Sequence, residues 1–433
     1  MEPSYLDIDY PDPQDEHVEN ISLEVPAVAH MEILSVVSNV SPLLEAFRCA
    51  FNGIESLRMN LKFKDLRYSL GEKSILDGVS GEIKSGRMTA ILGPSGSGKT
   101  TFVNVLMGKV ARTGGELNIN GIPAEMHTFR KIIGYVPQDD IMLRELTVHE
   151  VIQYSARTRL PRDWNTKQVN ELVDSILKVL NLEHIAHTLI GDELNRGISG
   201  GQRKRVNIAM ELAAAPLTLI LDEPTSGLDA TSALKVAKIL RSISHVGLTV
   251  VSIIHQPRVE IFNTFDDVLM IVPGGRTAYF GPVRKAREYF EYHLGFAFEP
   301  DSNPADVMMD ILSGRGKLRN GNLQSFKPDA IANHWKNFGI EYISQGESVA
   351  DDAGDYFSVD TMKSIAKKRG ASFLNQLWNA HQRSLIQQAR TLGGLFMELW
   401  VGLVAGLIMG IAGKCDEMYH GILISPYQRI LRA

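Results

Sequence analysis

Gly93-Pro94-Ser95-Gly96-Ser97-Gly98-Lys99-Thr100 stands between an apolar run, Thr89-Ala90-Ile91-Leu92, and a segment whose apolar positions, Phe102, Val103, Val105, Leu106 and Met107, have helical spacing. The G-x-x-x-x-G-K-[ST] pattern needs this strand, loop and helix context, because backbone N–H groups and the positive helix end then face one anion. A phosphate loop is predicted. Lys99 would meet the β- and γ-phosphates of a nucleotide, the Thr100 hydroxyl would bind Mg²⁺, and Gly93 through Thr101 would line the phosphate chain.

Working outward, Leu217-Thr218-Leu219-Ile220-Leu221-Asp222-Glu223 reads as a buried parallel strand that delivers two carboxylates at its C-terminal end, where open α/β sheets place their ligands. Asp222 would hold Mg²⁺ directly or through water, and Glu223 would polarise an attacking water. Shortly before that strand comes Ile198-Ser199-Gly200-Gly201-Gln202. It opens a segment to Ala215 with Val206, Ile208, Ala209, Leu212 and Ala213 at largely helical spacing, so Ser199 is an N-cap and Ser199, Gly200, Gly201 and Gln202 form a second anion cradle. Because one domain already has its own phosphate loop, this second cradle is expected to serve the nucleotide of a partner copy.

The three elements in this order resemble the ATP-binding-cassette (ABC) ATPases. The resemblance implies roles for further residues. Gln138, in Tyr135-Val136-Pro137-Gln138-Asp139-Asp140, matches the Q-loop, a Mg²⁺ and water ligand that senses a membrane partner. Asp229, in Ser226-Gly227-Leu228-Asp229, matches the D-loop. His255, after the strand-like run Thr249 to Ile254, matches the switch histidine that contacts γ-phosphate. Tyr68, upstream of the loop, is a candidate to stack on adenine, against the plainer role of packing in an edge strand.

The chain has 433 residues, 44% apolar, which allows a large core and more than one domain. Its net charge of −5 gives no support to a nucleic-acid partner. Cys49 and Cys415 are too few and too far apart for a metal site or a disulfide framework, which suits a cytosolic unit. The expected division is an acidic, partly disordered region over 1–58, a nucleotide-binding unit over 59–314 and a linker over 315–371, rich in Gly, Asn, Asp, Ser and Lys. An amphipathic connecting helix over 372–391, a transmembrane helix over 392–413 and an extracytoplasmic start or end over 414–433 follow. The unit begins with alternating strands (Leu61-Lys62-Phe63, Ser74-Ile75-Leu76, Gly81-Glu82-Ile83) that suggest an edge sheet. Thr147-Val148-His149-Glu150 is a capping box, and Asn303-Pro304-Ala305-Asp306 is another helix start.

Phe373, Leu374, Leu377, Trp378, Leu385 and Ile386 make an amphipathic pattern flanked by Lys367, Lys368, Arg369, Arg383 and Arg390, suited to a membrane's cytoplasmic face. Leu392 to Ala412 then carries one charge, Glu398, over the roughly twenty residues that a bilayer requires. Basic residues precede it and Asp416 and Glu417 follow, which leaves the ATPase in the cytoplasm. Gly402, Gly406 and Gly410 offer a face for a second helix. A packed soluble helix is the alternative.

A nucleotide-binding unit placed before its membrane segment resembles the G subfamily of ABC transporters, the White-type half-transporters, across about Lys62 to Tyr427. The residues concerned are Ile198 to Arg205, Val136 to Asp140, Asp222 to Asp229, His255-Gln256-Pro257 and Asn303 to Asp306. Val307 stands where that subfamily's N-P-x-D-F motif has an aromatic residue, and Gln202 where many members have Glu. The resemblance implies an α/β P-loop NTPase of ABC type, with a mixed sheet core, an antiparallel edge sheet and a helical subdomain. It also implies ATP and Mg²⁺ as cofactors, a second half-transporter and a lipid membrane as partners, and export of a lipid, sterol or amphipathic compound. The family has six membrane helices per half-transporter and this sequence one, so a fragment or a truncated product is expected. The rival readings are a soluble ABC ATPase and a regulatory cassette.

Overall fold

The computed structural model describes residues 41–51, 58–192, 197–245, 247–319, 327–344, 359–390, 396–397 and 399–411. Two sheets carry the fold. β1 (Leu61–Leu70), β2 (Lys73–Ile83), β4 (Gly114–Ile119) and β5 (Ile122–Pro123) form an antiparallel sheet in the order β2-β1-β4-β5. The second and third expected strands are one continuous strand, β2. Register shifts against β1 at Phe63/Leu66 and Tyr68/Ser69 bend the ladder, and such bulges keep the local pattern from reading as a single run.

The larger sheet has the order β10-β9-β3-β8-β7-β6, built from β3 (Met88–Leu92), β6 (Ile133–Val136), β7 (Thr218–Asp222), β8 (Thr249–Ile253), β9 (Asp267–Val272) and β10 (Arg276–Pro282). Strands β9, β3, β8, β7 and β6 run parallel, and β10 closes the edge antiparallel, so the sheet is mixed. β3, β7 and β8 are buried at every position, as expected for strands covered on both faces. The turn between β9 and β10 leans on the antiparallel sheet: a Cβ at Gly275, whose φ is +71°, would lie 2.0 Å from the Ile75 carbonyl oxygen.

The helices are α1 (residues 41–50), α2 (Lys99–Leu106), α3 (Val148–Arg159), α4 (Thr166–Val179), α5 (Gly200–Leu212), α6 (Ala230–His245), α7 (Val259–Phe262), α8 (Val283–Glu288), α9 (Pro304–Leu312), α10 (Pro328–Ser344), α11 (Val359–Lys368) and α12 (Phe373–Arg390). Helix starts follow local chemistry. Thr147 and Glu150 cap α3 reciprocally, with Thr147 N–H donating to Glu150 Oε2 at 2.8 Å, and Asn303 caps α9 with Pro304 in its first turn. α3, α4 and α5 pack on one another beside the sheet as a helical subdomain.

The segment 315–371, expected as a linker, holds two packed helices. On α10, Ile331, Ala332 and Trp335 are buried, and the Trp335 ring lies 5.0 Å from Tyr279 and 5.2 Å from Tyr289. α11 buries Val359, Met362, Ile365 and Ala366. Their polar composition covers the solvent face and hid a narrow apolar stripe. The expected boundary at residue 59 also shifts, because Leu43, Phe47, Ala50 and Phe51 belong to the core.

Arg369 fastens these additions. It is fully buried, its Nη1 donates to the carbonyls of Ala214 and Ala215, its Nη2 reaches Ala50 O at 3.4 Å, and its guanidinium lies 4.2 Å from the Phe51 ring centroid. Burial, with Arg159 nearby, pushes it down to about 9, so it remains a cation at neutral pH.

α12 docks on α3: Arg390 donates to both carboxylate oxygens of Glu150, at 2.6 and 2.8 Å. Its Phe373, Leu374, Leu377 and Trp378 stay exposed. Beyond it, residues 399–411 are helical, with Leu399, Trp400, Leu403 and Met409 more than 60% exposed. Within the expected transmembrane segment, residues 392–395, 398 and 412–413 lie outside the described residues. Among the described residues, no helix is long and apolar enough to cross a membrane.

Candidate functional site

The parallel strands order the site. β3, β8, β7 and β6 are neighbours that point the same way, so the residues after Leu92, Ile253, Asp222 and Val136 emerge along one edge. Those residues are the phosphate loop, His255, the Asp222-Glu223 pair and Gln138. They lie far apart in the chain, and the sheet order collects them.

The loop from Gly93 to Gly98 is a cradle with space in it. Helix α2 begins at Lys99 with Gly98 in the left-handed region (φ 96°) and no side-chain cap, so its first-turn N–H groups are left for a ligand. A Cβ at Gly96 would meet nothing within 4 Å, whereas one at Gly93 would lie 2.3 Å from the Ile271 carbonyl oxygen. The Ser97 hydroxyl is buried without a hydrogen-bond partner. Lys99, 9% exposed, donates to Gly93 O at 2.7 Å and Pro94 O at 3.0 Å. Burial lowers its pKa, opposed by Glu223 and Asp222. Uncapped N–H groups, an unpartnered buried hydroxyl and a lysine held only by carbonyls fit a phosphate chain. Ser95, Gly96 and Thr100 are exposed, and Pro94 and Thr101 are half-buried.

The carboxylates stand opposite. Asp222 is buried and its carboxyl is raised, first by burial and then by the charge of Glu223; the Tyr135 hydroxyl donates to its Oδ2 at 3.4 Å. Glu223, in the left-handed region at φ 47°, accepts from Gln138 Nε2 at 3.0 Å. Two neighbouring carboxylates, of which Asp222 is raised by burial beside the second charge, would suit a divalent cation. His255 is exposed just beyond β8. Tyr68 is half-buried on β1 opposite Leu76, and a Cβ at Gly98 would touch Leu76 Cδ2 at 2.9 Å, so Tyr68 lies one strand away from the loop and packs against the core.

The Ser199 region keeps apart. Ser199 caps α5 by a box with Gln202, and Gly201 faces Ser232 Oγ, 3.2 Å from where its Cβ would be. Asp229 caps α6 by accepting from Ser232 N at 3.0 Å, and bonds from Ser232 hold its carboxyl below the usual range. Among the described residues no hydrogen bond joins Ser199, Gly200, Gly201 or Gln202 to residues 93–101. Ser199 and Gly200 are exposed.

Sequence reasoning missed Tyr135, Lys109 and Lys204. Lys109 Nζ sits 3.4 Å over the Tyr135 ring, and Lys204, 3% exposed, donates to Gln138 O at 2.7 Å. A signal existed for the last: Lys204, Asn207, Ile208 and Glu211 share one face of α5, and polar residues on a buried stripe call for partners.

Comparison with known proteins matches residues 76–226 to the family described as ABC transporter, and residues 255–400 to the family described as ABC-2 type transporter. The chain belongs to the ABC transporters. Within that family it is similar to an ABC-type transporter claG of Penicillium crustosum, 37% identical over 81% of this chain and 44% of that one. The broad substrate specificity ATP-binding cassette transporter ABCG2 of Rattus norvegicus is 35% identical over 85% of this chain and 57% of its own. ABC transporter G family member 25 of Oryza sativa subsp. japonica is 42% identical over 59% of this chain and 26% of its own. These relatives support the G-subfamily half-transporter. The chain thus spans between a quarter and a little over half of their length.

Proposed function

We propose that this chain is the ATP-binding and ATP-hydrolysing part of a G-type ABC half-transporter, which works with a second half-transporter to power export of a lipid-like or amphipathic substrate. The observation that carries this reading is the one sheet edge that gathers Lys99, His255, Asp222, Glu223 and Gln138, while the Ser199 cradle is exposed and, among the described residues, makes no hydrogen bond to residues 93–101. In this reading Gly93 to Thr101 bind the phosphates, Tyr68 stacks on adenine, and Thr100, Gln138 and Asp222 hold Mg²⁺. The ion would neutralise phosphate charge. Glu223 accepts a proton from the attacking water, with Gln138 orienting its carboxylate and His255 at the γ-phosphate. Ser199 to Gln202, with Asp229, serve the partner's ATP. The ABC-2 match does not favour a free-standing ATPase, and the exposed apolar residues of 399–411 support attachment to a membrane. The basic residues that precede this segment favour the cytoplasmic side for the ATPase.

Glu223→Gln tests the chemistry. The amide fills the same space and cannot take the proton, so ATP binding should persist while turnover falls by about a hundredfold or more. Hydrolysis at the wild-type rate in this variant would overturn the assignment of Glu223.

A further inference from the structure

Gln138 is held at two points. Its side-chain Nε2 donates to Glu223 Oε2 at 3.0 Å, and its backbone carbonyl accepts from Lys204 Nζ at 2.7 Å. Lys204 also pairs with Asp140 Oδ1 at 3.2 Å, and the same carboxylate accepts from Asn207 Nδ2 at 3.3 Å. The Lys204 side chain is 4% exposed, so its ammonium has exchanged water for these contacts. A buried charge with so few partners makes their positions stringent, because losing one leaves the ion poorly solvated.

Lys204 and Asn207 lie one turn apart on α5, and α5 begins at the Ser199 cap. A helix transmits a displacement along its axis with little internal deformation. We propose that Lys204 is a positioning residue that couples the two nucleotide sites: it ties residues 138–140, which follow the chain's own Mg²⁺ and water site, to the helix whose N-terminus serves the partner's nucleotide. The proposal rests on the function given above. When Gln138 shifts as its side chain engages the cation and water, its carbonyl moves the Lys204 ammonium, and α5 carries Ser199, Gly200 and Gly201 with it. The sequence Glu223, Gln138, Lys204, Ser199 is then a physical path from one site to the other.

The test is steady-state ATP hydrolysis by the full chain in lipid nanodiscs, as a function of ATP at saturating Mg²⁺, for the wild type, Lys204→Met, Lys204→Arg and Lys204→Met/Asp140→Asn. In parallel, binding of a fluorescent ATP analogue is measured in the Glu223→Gln background. Lys204→Met should lower kcat by about tenfold and bring the Hill coefficient to unity, with analogue affinity changed by less than about threefold. Lys204→Arg should recover most of the cooperativity. The double variant removes both charges together, so Asp140 is not left unpaired, and it is read in the same way if the single variant does not fold. A residue of purely structural use would lower the unfolding temperature and leave kcat and the Hill coefficient of the folded fraction unchanged; that result overturns the proposal. If Glu223→Gln hydrolyses ATP normally, the functional reading fails instead, and the two failures are distinct.

Discussion

Replacing Arg369 with methionine should unfasten three segments at once. The guanidinium holds Ala214 and Ala215 beyond α5, Ala50 at the end of α1, and the Phe51 ring, and it sits at the junction of α11 and α12. Each hydrogen bond from a cation adds about 1.5–3 kcal/mol, and the contact with Phe51 about 2 when desolvated. Against this gross gain stands the desolvation that depresses the guanidinium to about 9. Methionine relieves the desolvation but leaves buried carbonyls without donors, so the net loss should be about 3–5 kcal/mol. At about 2–4 °C per kcal/mol for a unit of this size, Tm should drop by roughly 10 °C. Scanning fluorimetry of the nucleotide-free protein reads the shift directly. Arg162, whose Nε donates to Gly370 O from an exposed position, is the internal control, and its alanine variant should move Tm by less than about 2 °C. An equally small shift for Arg369→Met would refute the view that a buried cation organises this junction.

Gly93→Ala should weaken ATP binding by at least about tenfold, since the new methyl would press on the Ile271 carbonyl and the Ser97 hydroxyl; titration with a fluorescent analogue measures it, and unchanged affinity would show that the loop yields freely. Glu150 is held below the usual carboxylate range, first by the hydrogen bond from Arg390. Its contribution is therefore present above the unfolded value of 4.5 and is lost as pH falls through the lower folded value, so α12 should loosen from α3 only in acid. Amide exchange of α12, corrected for intrinsic rates, checks this, and Glu150→Gln should reproduce the acid pattern at pH 7. Ser199→Arg in the Glu223→Gln background should abolish ATP-dependent dimers seen by light scattering, because a large cation then stands where N–H groups must approach phosphate; persistence of those dimers would count against the second cradle.

Some of this molecule is written in short stretches of chain. Gly93 to Thr100 needs only its neighbours to become a strand, a loop and a helix start. The Thr147 and Ser199 boxes close within four residues, and Asp222-Glu223 ends a strand whose apolar run marks it as buried. Local backbone chemistry decides such features, so they were legible before any fold. Segment 315–371 reads as a linker in sequence because α10 and α11 show one thin apolar stripe each, and only the tertiary structure gives those stripes something to bury against, Tyr279 and Tyr289 in the case of Trp335 on α10. The same holds for Arg369 and Lys204. Their types and spacing suggest solvated cations, and their burial follows from carbonyls supplied by residues 50, 138, 214 and 215. Sequence alone determined which groups could bind a nucleotide. Tertiary structure decided which of them meet, since the order β3-β8-β7-β6 depends on long-range pairing that no local pattern encodes.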